Sequence, residues 1–283
     1  MVLEAELAGV AGTYGGSGDP VRHQTRSDSV VVRRGEVVVK AHSVRDDVPG
    51  LRARLRACAS PELAGVMLAP LVPEVLMVAG RAVTVWPAGR PIGRDETETA
   101  PWEEGARLLA RLHAAPLTSL PALPEAGGPG RAAGAVRRLE GDGPVERLIR
   151  RTFQELPEPE AGPALLTHGD WHLGQLVLRD RWLLIDPDDL GVGDPAWDLA
   201  RPAAWYAAGL LDPEVWDRFL GAYLAAGGPA LGDGDPWRRL DLPARAVTAQ
   251  LAAVALGHAR RERRELDEAE QSLIEACGRI VRA

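Results

Sequence analysis

Hydrophobic and polar positions change their period near residue 90. Residues 29–32 and 37–40 are β-branched runs on either side of Arg33-Arg34-Gly35-Glu36, which predicts a hairpin. Residues 72–78 and 82–86 repeat that pattern around Ala79-Gly80-Arg81, while Leu51, Leu55 and Cys58 recur at helical intervals behind Pro49-Gly50 and predict a helix over 51–59. Beyond Trp86-Pro87-Ala88-Gly89 the helical period dominates. Residues 102–113 place Ala106, Leu109, Ala110 and His113 on one stripe, and Pro116 ends the run. The proline- and glycine-rich stretch 116–130 predicts an exposed loop, and helical patterns return at 131–140, 145–155, 213–226, 244–265 and 266–282. One more hairpin, 176–178 with 182–185, is set among them. The pattern predicts an α+β protein with a small sheet-rich lobe, 1–89, and a larger helical lobe, 90–283.

Composition narrows the class. The 283 residues are 46% apolar and 26% charged, which suits a folded chain rather than a disordered one. A net charge of -7 argues against nucleic-acid binding, which needs a concentrated basic surface. Two cysteines, Cys58 and Cys277, build no disulfide framework and have no metal-ligand spacing, and no signal peptide or membrane span is read, so the expected setting is the cytoplasm. Of 33 basic residues only Lys40 is a lysine, and asparagine is missing altogether. Codon bias accounts for the general trend. A single surviving lysine is expected where a compact ammonium cannot be replaced by a planar guanidinium.

Candidate chemistry concentrates in one segment. His168-Gly169-Asp170-Trp171-His172-Leu173-Gly174-Gln175 precedes the third hairpin, whose second strand runs into Asp186-Pro187-Asp188-Asp189. Folding that hairpin is expected to bring Asp170, Gln175 and Asp186 to one edge, a set of hard oxygens suited to magnesium and hence to phosphoryl transfer. The glycines at 12, 15, 16 and 18 match no complete phosphate-binding motif and are read as a flexible N-terminal turn. The run 260–268 interleaves acids with arginines and reads as a solvated helical face.

The five-residue spacing of Asp170 and Gln175, with Asp186 after a hairpin, is similar to the catalytic segment of protein kinases. His-Gly-Asp at 168–170, Gly193-Asp194-Pro195-Ala196-Trp197-Asp198-Leu199-Ala200 and Leu109-Ala110-Arg111-Leu112-His113 resemble the aminoglycoside phosphotransferase branch of kinase-like enzymes. That resemblance implies a protein-kinase-like two-lobed fold. It assigns Lys40 to the nucleotide phosphates, Ser27 and Asp28 to a loop covering them, and the backbone of Trp86 and Ala88 to the adenine edge. It makes Asp170 the group that takes the hydroxyl proton, gives magnesium to Gln175 and Asp186, and leaves His168 a supporting part in the loop. Family members usually carry a glutamate paired with the lysine; residues 51–59 hold only arginines as charged groups, leaving Asp46, Asp47 and Glu62 as substitutes.

Glutamine at 175, where asparagine is common, resembles maltokinases, and the shorter chain and acidic run look most like actinobacterial glucosamine kinases. The resemblance therefore implies ATP-dependent phosphorylation of an amino sugar, D-glucosamine at its 6-hydroxyl, with an aminoglycoside or another amino alcohol as the alternative acceptor. His172, Asp188, Asp189, Asp194 and Trp205, beside Asp170, are the expected acceptor contacts. A nucleotide-binding pseudokinase regulator is the reading of another class, favoured only by the missing glutamate.

Overall fold

The computed structural model describes residues 2–23, 28–93, 96, 99–159 and 162–282. In chain order the elements are α1 (Val2–Thr13), β1 (Val21–His23), β2 (Val30–Arg34), β3 (Val37–Ala41), α2 (Val48–Cys58), β4 (Leu76–Val78), β5 (Arg81–Pro87), β6 (Arg90–Pro91), α3 (Trp102–His113), α4 (Gly128–Arg137), α5 (Pro144–Gln154), β7 (Leu165–Thr167), β8 (Leu176–Leu178), β9 (Trp182–Leu184), β10 (Gly191–Gly193), α6 (Ala196–Ala207), α7 (Pro213–Ala225), α8 (Trp237–Glu262) and α9 (Glu268–Arg282). The chain forms two compact units. The first comprises Met1–Ala100, Ala115–Pro124 and Leu173–Asp188; the second comprises Pro101–Ala114, Glu125–His172 and Asp189–Ala283.

In the first unit five antiparallel strands run in the order β1-β2-β3-β5-β4. Strand alternation sorts the side chains of β3. Val37, Val39 and Ala41 are buried with Leu7 and Ala11 of α1, and with Val83 and Val85 of β5. The other parity carries Val38 and Lys40, whose register partners across the ladder are Trp86 and Thr84. Parity thus keeps Lys40 off the α1 face and places it beside Thr84. Helix α1 takes in Gly12 of the glycines read as a flexible turn, while Gly15, Gly16 and Gly18 lie in the irregular stretch 14–20 that follows it. Its weak amphipathicity and two internal glycines hide it in the sequence, and burial of Leu7 and Ala11 against the sheet secures it. Strands β8 and β9 form the third hairpin, and β6 pairs with β8.

The second unit is helical. Helix α8 is its axis and presents Ala246, Ala249, Ala252 and Ala253 as buried positions. Such small side chains permit close helix approach, and the α8 core includes Val136 of α4, Ile149 of α5 and Leu273 of α9. Helix α6 spans the Ala-Trp-Asp-Leu-Ala motif and continues through Pro202. The charged run at 260–268 is not wholly a solvated face, since Arg260 pairs with buried Glu146 of α5. Strands β7 and β10 pair antiparallel, Leu165 opposite Gly193 and Thr167 opposite Gly191. They hold the start of the 168–172 loop.

Candidate active site

In the first unit the sole lysine lies between two carboxylates. The Lys40 ammonium donates to Asp186 and, at 2.7 Å, to Asp188 Oδ2. Burial by itself depresses an ammonium; here the two carboxylates outweigh it and hold Lys40 above its ordinary range. Burial likewise raises Asp188, but Lys40 and His42 outweigh it and hold that carboxyl below the usual carboxylate range. The carboxylates paired with Lys40 are thus Asp186 and Asp188, two residues apart, and Asp46, Asp47 and Glu62 are not among its described partners.

His42, two residues past Lys40 and almost fully buried, supports this arrangement. Its Nδ1 lies 3.5 Å from Asp188 Oδ1, and its Nε2 is 2.9 Å from Thr84 Oγ1. Trp86 Nε1–H donates to the same Thr84 oxygen at 2.9 Å. The alternation that isolates Lys40 could have pointed to His42 and Thr84, which share its face.

Gln175 and Asp186 are brought together. Ile185 N–H donates to the Gln175 carbonyl at 2.9 Å, and the Gln175 amide lies 3.4 Å from Asp186 Oδ2. Asp186 adopts φ +61°, a left-handed conformation unusual outside glycine, which turns the chain at the end of the hairpin. A carboxylate and an amide that can present its oxygen after a half-turn form a donor set of the kind magnesium accepts, so the pair fits that ion. Of the nucleotide contacts expected from sequence, Ser27 lies outside the described residues. Asp28 is exposed and paired with Arg81. Trp86 is buried on β5, and Ala88 N–H already donates to the Glu36 carbonyl at 2.8 Å.

The second unit holds Asp170, so the three oxygens expected at one edge are divided between the units. The loop that carries Asp170 is fixed from beneath by Asp198, a fully buried carboxylate in the first turn of α6. Asp198 Oδ2 accepts from His168 N–H at 2.6 Å and Oδ1 from Gly169 N–H at 2.8 Å. His113 Nε2 lies 3.0 Å from Oδ2, and its Nδ1 meets Tyr223 Oη at 2.8 Å. A carboxylate only accepts, so Nε2–H donates to Asp198. Gly169 has φ +84°, and a Cβ there would lie 2.9 Å from both Asp189 Cβ and Gly127 N. Glycine is the side chain this close approach permits. Trp171, the next residue after Asp170, anchors the loop by stacking on Phe219 with centroids 5.2 Å apart and meeting Trp102 edge-on.

The expected acceptor contacts are placed unevenly. Asp170 and Asp189 are joined by one side chain, Arg131 of α4, at 2.6 and 2.8 Å, and Asp170 is also paired with Arg201 of α6 at 2.9 Å. His172 is half-buried at the end of the loop. Asp194, just ahead of α6, accepts from Ala196 N–H at 3.0 Å and pairs with Arg239 at 2.6 Å. Trp205 packs edge-on against Trp102 and belongs to the helical core. Asp188, in the first unit, serves Lys40. Neither Arg131 nor Arg201 stands out in the sequence: Arg131 reads as an ordinary helix position, and Arg201 lies in a stretch where no helix is expected.

A β-sheet N-terminal region with a half-buried lysine held by carboxylates, and a helical region carrying His-Gly-Asp on a braced loop, define a kinase-like α+β fold. The sequence matches the phosphotransferase enzyme family over residues 15–243, most of its length, and the chain belongs to that family. Solved structures of similar fold include a choline/ethanolamine kinase family protein from Mesorhizobium loti, 16% identical with a TM-score of 0.62 over 98% of this chain and 92% of that one. A macrolide 2'-phosphotransferase, MphH, from Brachybacterium faecium is 21% identical with a TM-score of 0.53 over 97% and 98%. A thermostable variant of aminoglycoside phosphotransferase APH(4)-Ia, solved as a ternary complex with AMP-PNP and hygromycin B, is 15% identical with a TM-score of 0.60 over 98% and 97%. Comparison with curated protein sequences finds no significant match. Among the described residues no helix is long and apolar enough to cross a membrane.

Proposed function

We propose that the protein is an ATP-dependent small-molecule kinase that transfers the γ-phosphoryl group to a sugar hydroxyl, with D-glucosamine, phosphorylated at its 6-hydroxyl, as the acceptor. The observation that carries the phosphoryl-transfer reading is the first-unit cluster: the chain's single lysine held by Asp186 and Asp188, with Gln175 beside Asp186. Lys40 would bind the nucleotide phosphates as a point charge whose donors follow moving oxygens. Gln175 and Asp186 would hold magnesium, which when bound neutralises charge on the polyphosphate. Asp170 would take the acceptor hydroxyl proton, and the braced 168–171 loop would keep it in position. The structural neighbour solved with AMP-PNP and hygromycin B supports adenine nucleotide as phosphoryl donor.

The case for glucosamine rests on the sequence resemblance at Gln175 and the acidic run. Three of the acids offered to its ammonium, Asp188, Asp189 and Asp194, are paired with Lys40, Arg131 and Arg239. The aminoglycoside or amino-alcohol alternative draws on the same acids and is weakened equally. Against the pseudokinase reading, Lys40, Asp170, Gln175 and Asp186 are all present and Lys40 has carboxylate partners in Asp186 and Asp188. ADP release measured over a panel of amino sugars, neutral sugars, aminoglycosides and amino alcohols tests the proposal. Highest kcat/KM on glucosamine is expected; turnover of kanamycin-like compounds with none on glucosamine overturns the acceptor assignment.

A further inference from the structure

Asp170 has both carboxylate oxygens engaged. Oδ1 accepts from Arg201 at 2.9 Å, and Oδ2 is paired with Arg131 at 2.6 Å. A group that takes a hydroxyl proton needs an oxygen open to that hydroxyl at about 2.6–3.2 Å. The two arginines are not equivalent. Arg201 is 16% exposed, whereas Arg131 is 40% exposed and spans two acids, with Nη2 on Asp170 and Nη1 on Asp189 Oδ2 at 2.8 Å.

We propose that Arg131 is a catalytic residue of this kinase: on substrate binding it leaves Asp170 Oδ2 and places its guanidinium on the transferring phosphoryl group. The inference rests on the phosphoryl-transfer reading above. Asp189 holds the other terminal nitrogen of the guanidinium, so a swing about that contact carries Nη2 off Asp170 Oδ2. The planar fork matches phosphoryl oxygens in two-point contact, and the transfer concentrates its charge on those oxygens. In the step, the acceptor oxygen forms its bond to the γ-phosphorus. The bond from that phosphorus to the bridging oxygen breaks, its electron pair leaves with ADP, and the hydroxyl proton passes to Asp170 Oδ2. One motion thus supplies an open base and a cation at the developing charge.

The test compares wild type, Arg131→Ala, Arg131→Lys and Asp170→Asn, with transfer measured to the best acceptor and, as a slow background, to water. Each is assayed with and without tens of millimolar guanidinium. For Arg131→Ala, kcat is expected to fall by about 10²–10³-fold, the scale of losing one strong transition-state donor. Both KM values should stay within about threefold, and added guanidinium should restore at least about tenfold of the lost kcat, with Arg131→Lys intermediate. A kcat within about threefold of wild type overturns the inference, as does a loss that guanidinium does not restore. A loss confined to acceptor KM also overturns it, assigning Arg131 to an anionic group on the acceptor. If Arg131→Ala fails to fold, Arg131→Lys decides by its kcat alone, full activity counting against the fork. Wild type that transfers to nothing, or is indifferent to Asp170→Asn, overturns the kinase reading itself.

Discussion

Asp198→Ala is the sharpest perturbation of the loop that carries Asp170. The carboxylate is fully buried and receives the N–H groups of His168 at 2.6 Å and Gly169 at 2.8 Å, besides His113 Nε2 at 3.0 Å. Removing it leaves three buried donors, each costing about 1–3 kcal/mol when unsatisfied. Water entering the vacated space can serve some of them, which sets the expected loss near the lower end, about 4 kcal/mol. Urea unfolding followed by tryptophan fluorescence reports this change well, because Trp102, Trp171, Trp197, Trp205, Trp216 and Trp237 all belong to the second unit. With an m-value of about 3 kcal/mol/M the midpoint should fall by more than about 1 M. Under conditions where the variant is still folded, kcat should fall at least about 100-fold, since an unbraced Asp170 loses its position. A loss below about 1 kcal/mol with full kcat would refute the bracing role.

Further outcomes follow from the first unit and from the buried thiols. Lys40→Arg should leave the protein folded but lower kcat/KM at least about 100-fold, because a planar fork cannot replace a point charge between Asp186 and Asp188; steady-state ADP release checks it, and full activity would make the lone lysine incidental. Burial pushes the thiols of Cys58 and Cys277 up to about 12 and about 11. The native state therefore keeps both protons after the unfolded chain has released them, so the stability they contribute is complete below about pH 8.5 and is lost as pH rises toward 11–12, by up to about 1.4 kcal/mol per pH unit per thiol. Urea midpoints between pH 8 and 10.5 should fall more steeply for wild type than for Cys58→Ala with Cys277→Ala, and parallel curves would contradict this.

Where side-chain pattern and local chemistry agree, the sequence was legible. The β-branched hairpins and the stripe of 102–113 appear within a few residues of their expected bounds, because alternation and helical period survive in the folded chain. Lys40 stood out by its rarity, and the five-residue spacing of Asp170 and Gln175 survived as a loop followed by a hairpin. Helix α1 escaped notice because its apolar residues surround it and Gly12 near its end was read with the turn glycines that follow. Helix α6 was obscured by Pro202 and by Asp194, which read as an acceptor contact although it is spent on Ala196 and Arg239. The pairings of Lys40 with Asp188 and of Arg131 with Asp170 and Asp189 join residues far apart in sequence, and no local period encodes which arginine among 32 meets which acid.

The central claim is that this chain catalyses phosphoryl transfer to a hydroxyl whose proton Asp170 receives. Asp170→Asn, assayed for ADP release and for nucleotide affinity on the same preparation, measures it most directly. The account predicts a fall in kcat of at least about 10³-fold with nucleotide Kd within about threefold of wild type. Turnover equal to wild type in that variant would contradict it.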